Sequence, residues 1–348
     1  MKMKKIFLAV TFIVLTFIGC NNELEINAPW KDVTVVYGLL DQKSDSNWVR
    51  IHRGYLGNEG VYGGNQDEDS IYYKNLIVTL RELKPNGDSV EYLLQKAVPN
   101  PGLDSGFFTT EGYHSYLFDQ PLATQNAYKL VIDKPDGDGP RATATTPIVS
   151  DFNITKPTKN GSLTFGKSGQ NFIWDQAKNG ILYQGYLRFY YVEMNAINKS
   201  DSVRKYVDYK LPNKLGTNLD GNNSITVNVG YETFYRYLTN AIGVNPDVVR
   251  FFRYIDIFVF AAADDYNTYL QVSQPAQGIV QDKPLFTNIN NGIGIFSSRT
   301  STEQLNKELS SISIDSLVRG LYTCELMFGN PSAGDTCYCL EPGRFYCE

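Results

Sequence analysis

Apolar and polar residues alternate along most of the chain, a pattern typical of half-buried β-strands. In the first half, these alternating stretches are separated by turn-forming segments such as Pro85-Asn86-Gly87-Asp88. The spacing predicts short antiparallel strands with regular turns between them. The strands predicted here are 33–40, 48–52, 76–80, 89–94, 113–118, 128–132 and 141–145.

The second half continues the pattern and adds short helices. Residues 231–240 carry aromatic and apolar side chains at helical spacing, and Asp264 is a suitable N-cap for a second helix. The long aromatic stretch 186–192 follows a strand that contains Trp174, an order found in immunoglobulin-like and fibronectin-like folds. The remaining predicted strands are 171–174, 224–229, 253–261, 288–296 and a final one at 316–327.

These elements predict a mostly β protein made of two antiparallel β-sandwich domains, the second with one or two short helices. A Pro-containing segment, 146–157, separates the two halves. We therefore expect an N-terminal sandwich at 31–148, a C-terminal β-rich domain at 149–328 and a Cys-rich tail at 329–348.

The first residues indicate export and lipidation. Three lysines precede an apolar stretch, 6–18, that is shorter than the roughly 20 residues of a membrane-spanning helix. Gly19-Cys20 ends it as a lipoprotein signal would, although Phe17 stands where such signals usually carry leucine. We expect a signal peptide at 1–19, lipidation of Cys20 and a tether at 20–30. The alternative is an ordinary secretory signal with a cysteine nearby.

The other four cysteines are clustered at the C-terminal end. An even number of cysteines in an exported chain favours disulfides. Free thiols and a zinc site are the alternatives, but the C-x-C spacing differs from the usual C-x-x-C of zinc sites. The disulfide candidates are Cys324, Cys337, Cys339 and Cys347.

Charge and motif content exclude several classes of function. The net charge is −5 and no basic run is present, so nucleic acid is not an expected partner. The chain has two histidines, His52 and His114, and lacks the motifs of common hydrolases, nucleotide-binding proteins and metalloproteases. Acidic residues at 67–69 and 133–138 fit solvated loops better than calcium loops. We therefore predict no catalytic residue, metal or cofactor.

Aromatic residues are the remaining indication of binding, with 24 tyrosines and 19 phenylalanines. Tyrosine offers rigid, amphipathic contact area, so clustered tyrosines can face a glycan or peptide ligand. The alternative is that they are ordinary strand residues. The candidate ligand-facing residues are Tyr72, Tyr73, Tyr186, Tyr190 and Tyr191.

Several segments together resemble a family of Bacteroidota lipoproteins defined by a domain of unknown function. They are the valine-rich stretch 34–38, the strand 255–263, the tyrosine-bearing helix 266–270 and the motif 288–297. The resemblance implies an outer-membrane-associated protein, often encoded beside TonB-dependent receptors, with no known catalytic residues. It gives a structural role to the motif residues Asn288, Gly292, Gly294 and Phe296.

The function expected from these observations is a non-enzymatic binding or accessory component held by lipid at the outer membrane. Its expected partners are the membrane, a TonB-dependent receptor or another envelope protein, and a glycan or peptide ligand. The sequence leaves open which face of the membrane it occupies. The alternatives are a structural or adhesive surface protein and a surface hydrolase of polysaccharide or peptide.

Overall fold

The computed structural model describes residues 33–54, 72–97, 115–135, 139–197, 201–273, 285–329, 337–341 and 344–347. The expected signal, lipidation site and tether lie outside these residues, as do His114, the acidic segment 67–69 and residues 136–138. From Val33 onward the chain is one compact unit.

The described chain is dominated by strands, as the sequence predicts. The strands are β1 (Thr34–Asp41), β2 (Asn47–Arg53), β3 (Ile77–Leu83), β4 (Ser89–Leu93), β5 (Gln95–Ala97), β6 (Ser115–Phe118), β7 (Ala127–Asp133), β8 (Ala142–Pro147), β9 (Ile154–Lys156), β10 (Gln170–Asp175), β11 (Leu182–Asn195), β12 (Val203–Lys210), β13 (Lys214–Leu215), β14 (Ser224–Val229), β15 (Val248–Ala262), β16 (Gly292–Lys307), β17 (Phe328–Gly329), β18 (Cys337–Glu341) and β19 (Arg344–Cys347).

Three α-helices and one short 3-10 helix complete the described elements. The helices are α1 (Tyr231–Ile242), α2 (Asp264–Ser273) and α3 (Ser311–Arg319), followed by the 3-10 helix Cys324–Leu326. In the described residues, no helix combines the length and the apolar character that crossing a membrane would require.

The strands form one large sheet and three smaller ones. The ten-stranded sheet has the order β12-β11-β15-β16-β1-β2-β6-β5, with β13 beside β11 and β17 beside β15. The smaller sheets are β4-β3-β7-β8, β14-β10-β9 and the hairpin β18-β19. Most neighbours are antiparallel, but β1 and β16 pair in parallel and so join the two halves of the chain in one sheet.

Two hydrophobic cores lie against the large sheet. One contains β1 and β2 side chains such as Val36 and Ile51, together with Leu80 and Leu130 from the β4-β3-β7-β8 sheet. The other contains Leu187 and Phe189 of β11 with Phe172 and Trp174 of β10, and also the buried faces of α1 and α3.

The two cores draw on different parts of the chain. The first core is drawn from residues up to Ile148, with Ile289 and Phe296 added, and the second begins at Val149. The large sheet nevertheless continues across this boundary, because β1 pairs with β16. The prediction of a mostly β, largely antiparallel fold is confirmed. The independence of two domains stays a prediction.

The predicted final strand at 316–327 is wrong. Helix α3 covers its first residues and the 3-10 helix covers 324–326. Ser310 caps α3 through a bond from the Ser313 backbone N–H, and Leu317 and Val318 are buried at helical spacing. Local capping and packing on the second core therefore outweigh the β-branched content of this segment.

Candidate ligand pocket on the outer face of the sheet

The two faces of the large sheet have different environments. Along β1, Val36 and Leu40 point into a core, whereas Tyr37 points to the opposite face and is 41% exposed. Along β11, Leu187 and Phe189 are buried while Tyr186 and Tyr190 are half-buried. We call the side that faces away from both cores the outer face.

The parallel pairing of β1 and β16 explains the glycines of segment 288–297. Gly292 lies opposite Thr34, and a Cβ at this glycine would come within 2.6 Å of the Thr34 carbonyl oxygen. Phe296 lies opposite Gly38, where a Cβ would come within 2.9 Å of the Phe296 ring. The two segments that carry the family resemblance are therefore direct neighbours, packed too closely for larger residues.

Asn288 attaches helix α2 to this pair of strands. Its Nδ2 donates to a carboxylate oxygen of Asp265 at 2.8 Å and to the Phe296 carbonyl oxygen at 2.7 Å. The Phe296 backbone N–H donates back to Asn288 Oδ1 at 3.0 Å. This side chain ties the first turn of α2 to β16, next to the bond from the Ala263 backbone N–H to the Ser298 carbonyl oxygen, so it helps to set where the helix lies on the outer face.

A pocket of about 510 Å³ opens on the outer face between α2 and strands β1, β2 and β16. Its volume lies within the usual range of small-molecule sites. Aromatic side chains, two arginines, one aspartate and several small polar residues line it. They are Tyr37, Gly38, Leu39, Asp41, Ser44, Ser46, Asn47, Trp48, Arg50, Ser115, Tyr266, Tyr269, Ile295 and Arg299.

Tyr37 is at the centre of the described interactions in this pocket. It forms a side-chain hydrogen bond with Tyr269, and its ring stacks on His52 with centroids 6.2 Å apart. Burial and the neighbouring Tyr269 raise the pKa of Tyr37, partly offset by Arg50. Burial lowers the pKa of His52. Both rings are therefore neutral at pH 7, and the charge of the pocket comes from its arginines and Asp41.

The turn after β1 shapes one rim of the pocket. Asn47 is 3% exposed, and its Oδ1 accepts a hydrogen bond from the Asp41 backbone N–H at 2.7 Å. Asp41 in turn accepts a bond from the Lys43 backbone N–H at 3.0 Å. These bonds close the turn, so the serines at 44 and 46 are held at the rim by a locally ordered backbone.

A second aromatic surface lies further along the outer face, around Arg188. The guanidinium binds both carboxylate oxygens of Asp208, at 2.7 and 2.8 Å, and lies 4.4 Å from the centre of the Tyr206 ring. Tyr186 stacks on Phe258 at 4.8 Å. Arg188 itself is already paired with Asp208 and stacked on rings, whereas Arg204 and Arg253 lie beside Tyr190 and Tyr254 in a small pocket at this surface.

The predicted ligand-facing tyrosines fall into two groups. Tyr186 and Tyr190 lie on the outer face, within the second aromatic surface. Tyr72, Tyr73 and Tyr191 are buried, at 8%, 5% and 4% exposure.

The rings of the buried tyrosines contact other residues of the fold and do not face solvent. Tyr73 exchanges a hydrogen bond with Thr34 and lies under the Arg53 guanidinium, and Tyr191 packs against Phe328. Strand alternation places Tyr191 on the inner face, next to Phe189. Adjacent residues of a strand usually point to opposite faces, but the β11-β15 pairing has a bulge between Tyr190 and Tyr191. Both tyrosines therefore border one small pocket, although Tyr191 is 4% exposed.

Sequence analysis missed the residues that make the pocket. Trp48 and Arg50 lie in β2 and Arg299 lies in β16, about 250 residues later, and no local motif connects the two strands. The family motif was the one available signal, because its glycines and Asn288 bring β1, β16 and α2 together. The pairing partner of β1 is what a single sequence does not reveal.

The C-terminal cysteines lie partly outside the described side chains. Cys324, in the 3-10 helix, is buried and disulfide-bonded. Strand β18 contacts this 3-10 helix, and Cys337 lies opposite Cys347 in the β18-β19 register. The pairing among the four stays a prediction. Within the described residues, no cluster of histidine, cysteine, aspartate or glutamate has the arrangement of a metal site.

Comparisons with known proteins leave the family open. No family model matches the chain, and no curated protein matches it. Among solved structures, the chain is similar to the C-terminal globular domain of an oligosaccharyltransferase from Pyrococcus abyssi, with 10% sequence identity and a TM-score of 0.21. The alignment covers 65% of this chain and 46% of that one, so this chain spans less than half of that domain.

Proposed function

We propose that this chain is a lipid-anchored cell-envelope protein that binds a ligand in the outer-face pocket without transforming it. The observation that carries the proposal is the pocket itself, in which aromatic rings from β1, β2 and α2 converge with arginine and serine side chains. An aromatic, mixed-polarity cavity of this size is typical of a binding site. The N-terminal pattern ending at Cys20 supplies the expected anchor.

We also propose that the protein serves as an accessory component of a TonB-dependent outer-membrane transport system. The support for this part is the family resemblance of segments 34–38 and 288–297. Those segments meet in the structure as paired strands beneath the pocket. The finer architecture we propose is two immunoglobulin-like or fibronectin-like sandwiches that share the large sheet.

The anchor is tested by fractionating cells that express the protein or its Cys20→Ala variant. We expect the unaltered protein in the outer-membrane fraction with incorporated labelled fatty acid, and the variant without label in the soluble fraction. Cys324→Ala is the matched control, because it removes a cysteine from the folded part of the chain. Equal labelling of the Cys20→Ala variant would contradict the anchor.

The accessory role is tested by mild crosslinking in native cells, followed by mass spectrometry of the captured partners. We expect a TonB-dependent receptor to be captured in cells that make the lipidated protein. Protease treatment of intact cells in the same experiment identifies the membrane face. Capture of other surface proteins without a receptor would favour a structural or adhesive role instead.

A further inference from the structure

We infer that the outer-face pocket binds a carboxylate-bearing saccharide, such as a uronic acid unit of an oligosaccharide. The inference rests on the proposed binding function and adds the chemical class of the ligand. Three properties of the pocket support it: its aromatic surfaces, its positive charge, and a floor strand whose backbone is already hydrogen-bonded to neighbouring strands.

The aromatic side chains offer flat surfaces of the kind that sugars bind. Tyr37 is 41% exposed, and Trp48, Tyr266 and Tyr269 are half-buried around the same cavity. Tyrosine and tryptophan combine an apolar face with a polar edge. A sugar ring matches this combination, because its C–H groups stack on an aromatic face while its hydroxyls reach nearby polar groups.

The charge of the lining favours an anion. Arg50 and Arg299 are the cations among the described lining side chains, and Asp41 is the anion. The guanidinium of Arg299 is exposed and forms no hydrogen bond or ion pair with another described residue. In a chain with a net charge of −5, this local excess of positive charge attracts anions to the pocket. A guanidinium binds a carboxylate through two parallel hydrogen bonds.

The floor of the pocket argues for a saccharide over a peptide. Peptides commonly bind by pairing their backbone with an exposed strand edge. Here the floor includes β1, which pairs with β16 along its whole length and with β2 over Thr34–Gly38, so most of its backbone groups are already used. A ligand in this pocket would therefore bind mainly to side chains, namely the aromatic rings, the arginines and the hydroxyls of Ser44, Ser46 and Ser115.

The test is a titration of the full-length protein in detergent with trigalacturonic acid, in which tryptophan fluorescence reports binding. Its matched neutral control is the trimethyl ester of the same trisaccharide. We expect the acid to change the fluorescence and to bind at least about tenfold more tightly than the ester, since charged hydrogen bonds are the stronger ones. Because exposed charges are screened, added salt should weaken binding of the acid.

Two variants locate the site. Arg299→Gln removes the positive charge and should weaken binding of the acid about tenfold while leaving binding of the ester unchanged. In a Trp30→Phe background, Trp48→Phe should abolish the fluorescence change, because the remaining tryptophan, Trp174, is 1% exposed in a core. Arg319→Gln, on α3 and away from the pocket lining, is the control and should bind like the unaltered protein.

The outcomes distinguish a wrong ligand class from a failure of the proposed binding function. Equal affinity for acid and ester, or an Arg299→Gln variant that binds the acid normally, overturns the inference. If a neutral sugar or a peptide binds at Trp48 in preference to the acid, the ligand class fails and the proposed binding function stands. If no member of a panel of acidic sugars, neutral sugars and peptides changes the signal, both fail.

Discussion

Gly294 lies opposite Val36 in the parallel pairing of β1 and β16, with a φ of +111°. A Cβ at this position would collide with the Val36 carbonyl oxygen. Only glycine combines this backbone conformation with such a close approach. The glycine at position 294 is thus a packing requirement at the strand pair that joins the two halves of the chain.

Gly294→Ala should lower the free energy of unfolding by about 3 kcal/mol, because the new methyl group strains the backbone and separates the strands. Urea denaturation followed by circular dichroism measures this change. Gly166→Ala is the control, since its nearest contact would be a methyl group 3.9 Å away and its φ is not positive. Similar losses in both variants would contradict the packing argument.

Asn288→Asp should release α2 from β16. The substitution keeps the oxygen that accepts from Phe296 but replaces the donor with a second carboxylate beside Asp265. We expect a loss of about 2 kcal/mol in stability, the cost of leaving polar partners unsatisfied. Proteolysis at α2 should also become faster. Asn290→Asp serves as the control, because Asn290 is exposed and its side-chain hydrogen bond to Thr143 is long, at 3.4 Å. An unaltered rate of cleavage at α2 would count against the proposed attachment.

Glu193 should make stability depend on pH. Burial alone would raise its pKa, but Lys205 and Arg250 outweigh burial, so the pKa lies below its ordinary value of 4.5. The carboxylate binds Lys205 at 2.6 Å and Arg250 at 3.0 Å, and Arg250 is 2% exposed. A carboxyl group with a lowered folded-state pKa stabilises the fold above its unfolded pKa, and this contribution disappears as the pH falls through the folded value.

Glu193→Gln should therefore be destabilised by about 3 kcal/mol at pH 7, because Arg250 is left buried without its anion. The difference from the unaltered protein should shrink at pH 3. Urea midpoints at the two pH values measure both effects. In Glu232→Gln the lost ion pair is exposed on both sides, so a change below about 0.5 kcal/mol is expected. A pH-independent difference for Glu193→Gln would show that the carboxylate charge is not responsible.

The disulfides should connect Cys337 to Cys347 and Cys324 to Cys339. Directly opposite residues of an antiparallel pair have Cα atoms about 4.5 to 5.5 Å apart, within the range that a disulfide spans. The second pair follows because β18 contacts the 3-10 helix of Cys324. Peptide mapping without reduction should recover these two linked pairs. Four alkylated thiols, or bound zinc with unlinked peptides, would overturn the assignment.

The local elements were largely predictable from the sequence, and the site was not. Strand 224–229 and the helix starting at Tyr231 were predicted with the observed first residues, because alternation and helical spacing are local signals. The pocket depends on which strands pair across the chain, and no local sequence pattern indicates that β1 pairs in parallel with β16. Tyr191 shows the same limit: its burial follows from strand alternation, but only once the inner face of β11 is known.

The parallel pairing of β1 and β16 also constrains the order of events during biogenesis. The first strand of the described chain pairs with β2 directly after it, but its second partner, β16, follows about 260 residues later, so almost the whole polypeptide must be delivered before that second partner exists. If Cys20 is acylated at the membrane, the chain would be anchored beside a β1-β2 pair whose other β1 edge is still open while the remainder is emerging. Protecting that open edge from pairing with another chain is a task suited to an export chaperone, and the protection would be needed most at the anchored end.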